Sequence, residues 1–250
     1  MSFHVIIPVR YDSTRLPGKA LLDIANKPMI QHVYEQANKS AAQTVTIATD
    51  SEKIHLAAKN FAAQVYMTAT SHPNGTNRIA ECVNILKLDD AAIVVNVQGD
   101  LPLIPPKIIN QVAANLAQHP QASVATLCHE INDNAILMNP NVVKVVMDKF
   151  GYALYFSRAA IPWKPQSSSL MAIHYKHIGI YAYRVGFLQR YKNWDSCALE
   201  QAESLEQLRI LWQGERIHVG ITSEIPHPGV DTEEDLVQVR SLVNNVLSHP

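Results

Sequence analysis

The chain has 250 residues, 47% hydrophobic and 17% charged, a mix that supports a sizeable core and excludes a disordered chain. Its 21 Lys and Arg against 22 Asp and Glu give a formal net charge of −1. That balance excludes a nucleic-acid binder relying on a general basic field, so any anion binding falls to local clusters. Cys82, Cys128 and Cys197 stand far apart with no C-x-x-C spacing, which predicts reduced thiols and neither a zinc nor a disulfide framework. The N-terminus enters a strand at once, and no stretch approaches the ~18 apolar residues of a membrane span. Neither a signal peptide nor membrane insertion is expected.

The first predicted element is a buried strand over residues 3–9. The loop leaving it places Arg10, Arg15 and Lys19 around a Pro17-Gly18 turn. Open α/β sheets bind ligands at the carboxyl ends of their strands, and three cations beside a glycine suit a phosphate there. The G-x-x-x-x-G-K-[ST] spacing of a P-loop is absent. A helix opens at 27–30 with Met29, Ile30, Val33 and Ala37 at helical spacing. A strand over 44–48, a helix over 53–61 and a strand over 64–67 follow. This alternation predicts a parallel sheet with helices on both faces.

Residues 71–78 form a polar, turn-rich stretch, with a helix expected from Ile79. Arg78 at that start fits a pocket wall or an ordinary N-capped helix equally well. Residues 92–97 are the most apolar run and the predicted central strand. They lead into Gln98, Gly99 and Asp100. A carboxylate past the end of that strand, over the same crevice as the basic loop, is a candidate Mg²⁺ ligand.

A helix over 105–116 and a strand over 122–128 come next. Strands over 142–147 and 152–157 flank a turn at 148–151 and read as an antiparallel pair. Residues 164–172 read as a mobile loop. The strand over 174–183 places His177, Gly179 and Tyr181 on one face and Ile178, Ile180 and Ala182 on the other. That face suits a sugar site or a subunit contact. Helices over 187–191 and 198–211, a strand over 217–222 and a last helix capped by Thr232 complete the chain. Asp231, just before that cap, is either capping chemistry or a second metal carboxylate. Neither an internal repeat nor an interdomain linker is visible.

The segments IIPVRYDSTRLPGKAL, VNVQGDLPLIPP, GYALYFSRAAIPW, HIGIYAYRVGFL, LEQLRILWQGERIHV and GVDTEEDL run in order from residue 6 to residue 236. Together they resemble the 3-deoxy-manno-octulosonate (Kdo) cytidylyltransferase family. The resemblance implies a single α/β domain over 1–250, nucleotidyltransferase and Rossmann-like. Its sheet would be mixed and mostly parallel, with helices on both faces and a small antiparallel dimerisation element. It implies a cytoplasmic homodimer that joins CTP and Kdo with Mg²⁺, giving CMP-Kdo and pyrophosphate for lipopolysaccharide assembly.

In that family the first loop takes the triphosphate, so Arg10, Ser13, Arg15 and Lys19 inherit that role, and Arg78 falls on the pyrimidine wall. Asp100 and Asp231 match the metal carboxylates, with Arg10, Lys19 and Asp100 at the chemistry. Gln98, Arg158, His177, Tyr181, Glu206 and Gln207 fall where the sugar acid binds. Two positions depart from the family pattern: Leu101 stands where an acid is common, and Asn77 where a glutamate is. The rival readings are CMP activation of 8-amino-Kdo or sialate, a nucleotide-binding regulatory module without catalysis, and a dinucleotide oxidoreductase. The last lacks its G-x-G-x-x-G.

Overall fold

The structure, a computed structural model, describes residues 1–13, 15–163, 173–227 and 229–248. The loop expected at 164–172 lies outside the described residues. Strand β1 (His4–Val9) is followed by a short 3-10 turn at Lys19–Leu21 and by a ribbon of β2 (Asp23–Ile24) and β3 (Lys27–Pro28). The alternation then runs α1 (Met29–Asn38), β4 (Thr44–Thr49), α2 (Glu52–Asn60), β5 (Gln64–Met67), α3 (Gly75–Ile85) and β6 (Ile93–Asn96). The second half holds α4 (Pro106–Gln118), β7 (Val124–Glu130), α5 (Asn134–Met138), β8 (Lys144–Met147), β9 (Ala153–Ser157) and β10 (Tyr175–Arg184). It ends with α6 (Val185–Tyr191), α7 (Ala198–Glu203), α8 (Gln207–Trp212), β11 (Ile217–Ile221) and α9 (Glu233–Ser248).

The main sheet has the order β11-β7-β10-β6-β1-β4-β5, with the β8–β9 hairpin attached to β10. β1 pairs in parallel with both β4 and β6, β4 with β5, and β7 with β11. On this path β10 alone runs against its neighbours, wedged between β6 and β7. The mixed, mostly parallel sheet expected from the alternation is therefore present, with β6 at its centre.

Alternation along β1 explains the two packed faces. Phe3, Val5, Ile7 and Val9 join Ile30 and Val33 of α1, Ile54 of α2 and Ile108 and Val112 of α4. Ile6 turns to the other face, with Ile79 and Val83 of α3, Phe187 and Tyr191 of α6 and Leu208 of α8. Both faces of the central strands are buried, as a parallel sheet requires.

Two expectations need correction. The helix expected over 198–211 is broken: α7 ends at Glu203, followed by Ser204 with φ 52°, and α8 begins at Gln207. The spacing of its leucines carried through the corner because both pieces pack on the same core. Helix α3 begins at Gly75, four residues before the expected start, with Asn74 Oδ1 accepting from Asn77 N at 2.9 Å. Asn77, the departure from the family pattern, thus uses its backbone N–H in the cap.

Candidate active site

β1 leads to one flank through β4, whereas β6 lies on its other side. The crevice above the carboxyl ends of β1 and β6 is therefore a topological switch point, where open α/β sheets hold ligands. A cavity of about 420 Å³ opens there. Its lining includes Arg10, Ser13, Arg15 and Lys19 from the first loop, Asn74, Gly75 and Arg78 from the start of α3, and Gln98, Gly99, Asp100 and Asp231. Gly18 closes the first loop, with φ 67° and its N–H donating to Tyr11 O at 3.1 Å. That left-handed turn favours glycine. Gly99 lies in close approach to β1: a Cβ there would sit 3.1 Å from Val9, tight enough that Val9 would have to shift.

Lys19 ties the cavity floor together. Its Nζ donates to Asp100 Oδ2 at 2.7 Å, Asp231 Oδ1 at 3.0 Å and Val230 O at 3.1 Å. Burial works against its charge, but Asp100 and Asp231 outweigh burial and hold its pKa above the usual lysine value. Arg15 reaches Asp231 Oδ2 at 2.9 Å from the solvent side. The cap of α9 is Thr232, whose hydroxyl accepts from Asp235 N at 3.2 Å. The Asp235 carboxylate accepts from the N–H groups of Asp231 and Thr232. The Asp231 carboxylate is thereby free of capping duty and faces the cations.

Arg78 lines the same cavity but is buried, donating to Asp50 Oδ2 at 2.6 Å and Thr68 Oγ1 at 2.5 Å. Of the two readings of residues 71–78, both hold: the segment is an N-capped helix start and a pocket wall. Asp50, just after β4, is a site residue that the sequence reading misses. Its signal was its place after a strand, the same that marked Asp100. His72 also lines the wall and hydrogen-bonds Glu81.

A second cavity, about 240 Å³, adjoins the first across Gln98. It is lined by Thr76, Asn96, Gln98, Val143, His177, Gly179, Tyr181, Tyr183, Leu205, Glu206, Gln207 and Ile210. The expected face of β10 therefore points into a cavity. His177 Nε2 lies 2.9 Å from Thr126 Oγ1, whose hydroxyl lies 2.7 Å from Ile180 O. The one hydroxyl hydrogen goes to that carbonyl, so His177 donates to Thr126. Burial pushes the His177 imidazole down to about 3, and raises Tyr181 well above the usual phenol value, with Tyr183 and Glu206 adding to it. Both are therefore neutral at pH 7. Glu206 accepts from the Tyr191 hydroxyl at 2.6 Å.

The structure does not bring Arg158 to either cavity. Its guanidinium donates to the carbonyls of Glu203, Pro140 and Ser204 at 2.7, 3.1 and 3.4 Å. The expected fork for a carboxylate is thus engaged with main chain, because the corner after α7 presents carbonyls within its reach. Sequence reasoning misses Asn96, Val143 and Leu205, since an apolar residue or a lone amide carries no sign of which cavity it will face.

Residues 4–217 match the family model described as cytidylyltransferase. Two curated relatives, both named 3-deoxy-manno-octulosonate cytidylyltransferase, come from Hahella chejuensis and Histophilus somni. The first is 54% identical, covering 97% of this chain and 98% of the relative. The second is 53% identical, covering 98% and 100%.

The chain belongs to the 3-deoxy-manno-octulosonate cytidylyltransferase family.

As a member of this family it also matches a solved structure of CMP:2-keto-3-deoxy-manno-octonic acid synthetase complexed with CTP. The TM-score is 0.90 at 42% identity, with 98% of each chain covered. A cytidylyltransferase from Leptospira borgpetersenii, at 17% identity and a TM-score of 0.62, shares the fold. Among the described residues no helix of this family member is long and apolar enough to cross a membrane. Its three cysteines are free and buried, and burial pushes the Cys82 and Cys128 thiols up to about 12.

The donor set on the cavity floor fits Mg²⁺. The ion takes one or two carboxylates plus substrate phosphates in place of an all-protein cage. Here two aspartates converge on one ammonium, so their oxygens lie close enough to share a cation. Among the described residues no cluster of three or more His, Cys, Asp or Glu suggests a self-sufficient metal site.

Proposed function

We propose that this chain, as one nucleotidyltransferase domain over residues 1–250, transfers CMP from CTP to the anomeric 2-hydroxyl of Kdo, releasing pyrophosphate. The observation that carries the reading is the meeting of Lys19, Asp100 and Asp231 on the floor of a cationic cavity that opens, past Gln98, into a second and less charged one. A triphosphate suits the first, where Arg10, Ser13, Arg15 and Lys19 line the wall. A sugar suits the second, where neutral His177 and Tyr181 stand beside Glu206 and Gln207 as donors and acceptors.

Nucleotidyl transfer is chiefly a matter of positioning and charge stabilisation. Arg10 and Lys19 neutralise charge growing on the α-phosphate and the departing pyrophosphate. Gln98, shared by both cavities, orients the attacking end of the sugar. Burial holds the His177 imidazole far below its usual pKa, which makes it a weak base, and its role is to orient a hydroxyl. Asp100 and Asp231 would hold Mg²⁺. When bound, the ion supplies charge neutralisation and a lowered pKa for the attacking hydroxyl. The buried free thiols agree with a reducing compartment, and we place the enzyme in the cytoplasm as a homodimer serving lipopolysaccharide assembly.

The test is pyrophosphate release from CTP with Kdo, 8-amino-Kdo and sialate, each with Mg²⁺ and with excess chelator. Kdo is expected to give the highest kcat/KM, and chelation to abolish release. A higher kcat/KM with sialate, or CTP binding with no release for any acid, overturns the reading.

A further inference from the structure

A buried ammonium and a half-buried carboxylate outside the cavities enclose one residue's backbone. Lys144 has no exposed surface, and its Nζ donates to Asn139 O at 3.0 Å, Val142 O at 2.7 Å and Arg158 O at 2.5 Å. An ammonium has three hydrogens, and carbonyls take all three. From the other side, Glu203 Oε2 accepts from Arg158 N at 2.9 Å and Oε1 from the Ser157 hydroxyl at 2.6 Å. The Tyr155 hydroxyl also donates to that carboxylate. The N–H of Arg158 thus meets a carboxylate and its C=O an ammonium, while its side chain binds the carbonyls of Glu203, Ser204 and Pro140.

Such a node is costly, because the buried Lys144 ammonium and the half-buried Glu203 carboxylate, held by dipoles, lose hydration. Apolar side chains could join the same segments at less expense. What distinguishes the node is what it holds. Lys144 fixes the carbonyls of residues 139 and 142, next to Val143. Val143 lines the second cavity, and its carbonyl accepts from His177 N at 2.9 Å. Glu203 and Arg158 fix the corner at Ser204, directly before Leu205, Glu206 and Gln207, which line the opposite wall. The node therefore adds a polar tie between the start of β8 and the corner before α8, beside the apolar packing of Val145 and Phe156 with Leu205 and Leu208.

We propose that Lys144 and Glu203 are positioning residues for the sugar-acid subsite, joined through the backbone of Arg158. The inference rests on the reading of the second cavity as the sugar site. Neither residue touches substrate; each acts through the walls it holds. The triphosphate cavity is built on β1, β6 and α3, so the node leaves it alone.

The experiment is steady-state kinetics of Glu203→Gln and Lys144→Met with Kdo and CTP varied separately, alongside CTP binding by calorimetry and thermal melts. The KM for Kdo is expected to rise roughly tenfold or more while the KM and Kd for CTP stay within about twofold. The double variant is expected to lose no more than the worse single variant, because both residues act on one node. Equal rises in both KM values, no rise for Kdo, or effects that multiply in the double variant overturn the inference. Should Lys144→Met not fold, Glu203→Gln alone decides, since its amide oxygen can still accept from Arg158 N. A wild type inactive on Kdo would show before any variant is made, and would count against the reaction proposed above. Wild-type activity with unselective variants would count against the node.

Discussion

Lys19 and Asp100 meet at 2.7 Å across 81 residues of chain. The pair joins the loop after β1 to the loop after β6, the two strands at the centre of the sheet. Both groups lie on the cavity floor, so their charges act on whatever binds there. Asp100→Asn keeps shape and volume but removes the charge. Turnover is expected to fall by about 10²–10³, the scale for losing one electrostatic contact at a reacting centre. The melting temperature should move little, and saturating Mg²⁺ should not restore the rate. A wild-type rate at high Mg²⁺ would refute the assignment.

Asp231 and Asp235 divide two tasks that the sequence left joined. Asp235 accepts from two backbone N–H groups at the start of α9, and those bonds, offsetting burial, hold its carboxyl below the usual range. Asp235→Ala is expected to cost roughly 1 kcal/mol of stability, as for a lost helix cap, with kcat nearly unchanged. Asp231→Asn is expected to do the opposite. Chemical denaturation set beside steady-state kinetics separates them; the reverse pattern would return Asp231 to capping.

The pair of buried Arg78 and largely buried Asp50 makes a different forecast. Arg78→Met leaves Asp50 without its guanidinium partner at 2.6 Å. Breaking a buried pair by removing one partner costs about 3–5 kcal/mol, a fall in Tm of roughly 10 °C for a chain of this size. A variant that melts normally but binds CTP poorly would show that Arg78 acts on the nucleotide directly.

His218 sets an expected acid limit. It is buried, stacks on His119 with ring centroids 3.4 Å apart, and its Nδ1 has no hydrogen-bond partner. Burial and the neighbouring imidazole push it down to about 4, against the pull of Asp148. The unfolded chain then binds more protons than the folded one between about pH 6.5 and 4, so stability is full above that window and falls as pH drops through it. The loss from this group is at most about 3 kcal/mol. Urea unfolding from pH 7 to 4 should show the decline, which His177, pushed lower still by burial, shares, so His218→Leu should make it shallower without abolishing it. An unchanged slope in that variant would assign the decline to other groups.

The sequence by itself determined the strand–helix alternation, the basic loop after β1, the carboxylate after β6 and the two-faced pattern of β10. Each is written in local periodicity or in residue types that only a turn or an anion explains. Tertiary structure alone decided that β10 wedges between β6 and β7, so that its polar face closes a cavity. It alone assigned Asp231 to the cations and Asp235 to the cap, and turned Arg158 to main-chain carbonyls. It also broke 198–211 at Ser204, where one residue adopts a positive φ. These outcomes depend on which donors and acceptors meet after packing, and partners far apart in the chain leave no mark on the local pattern of either.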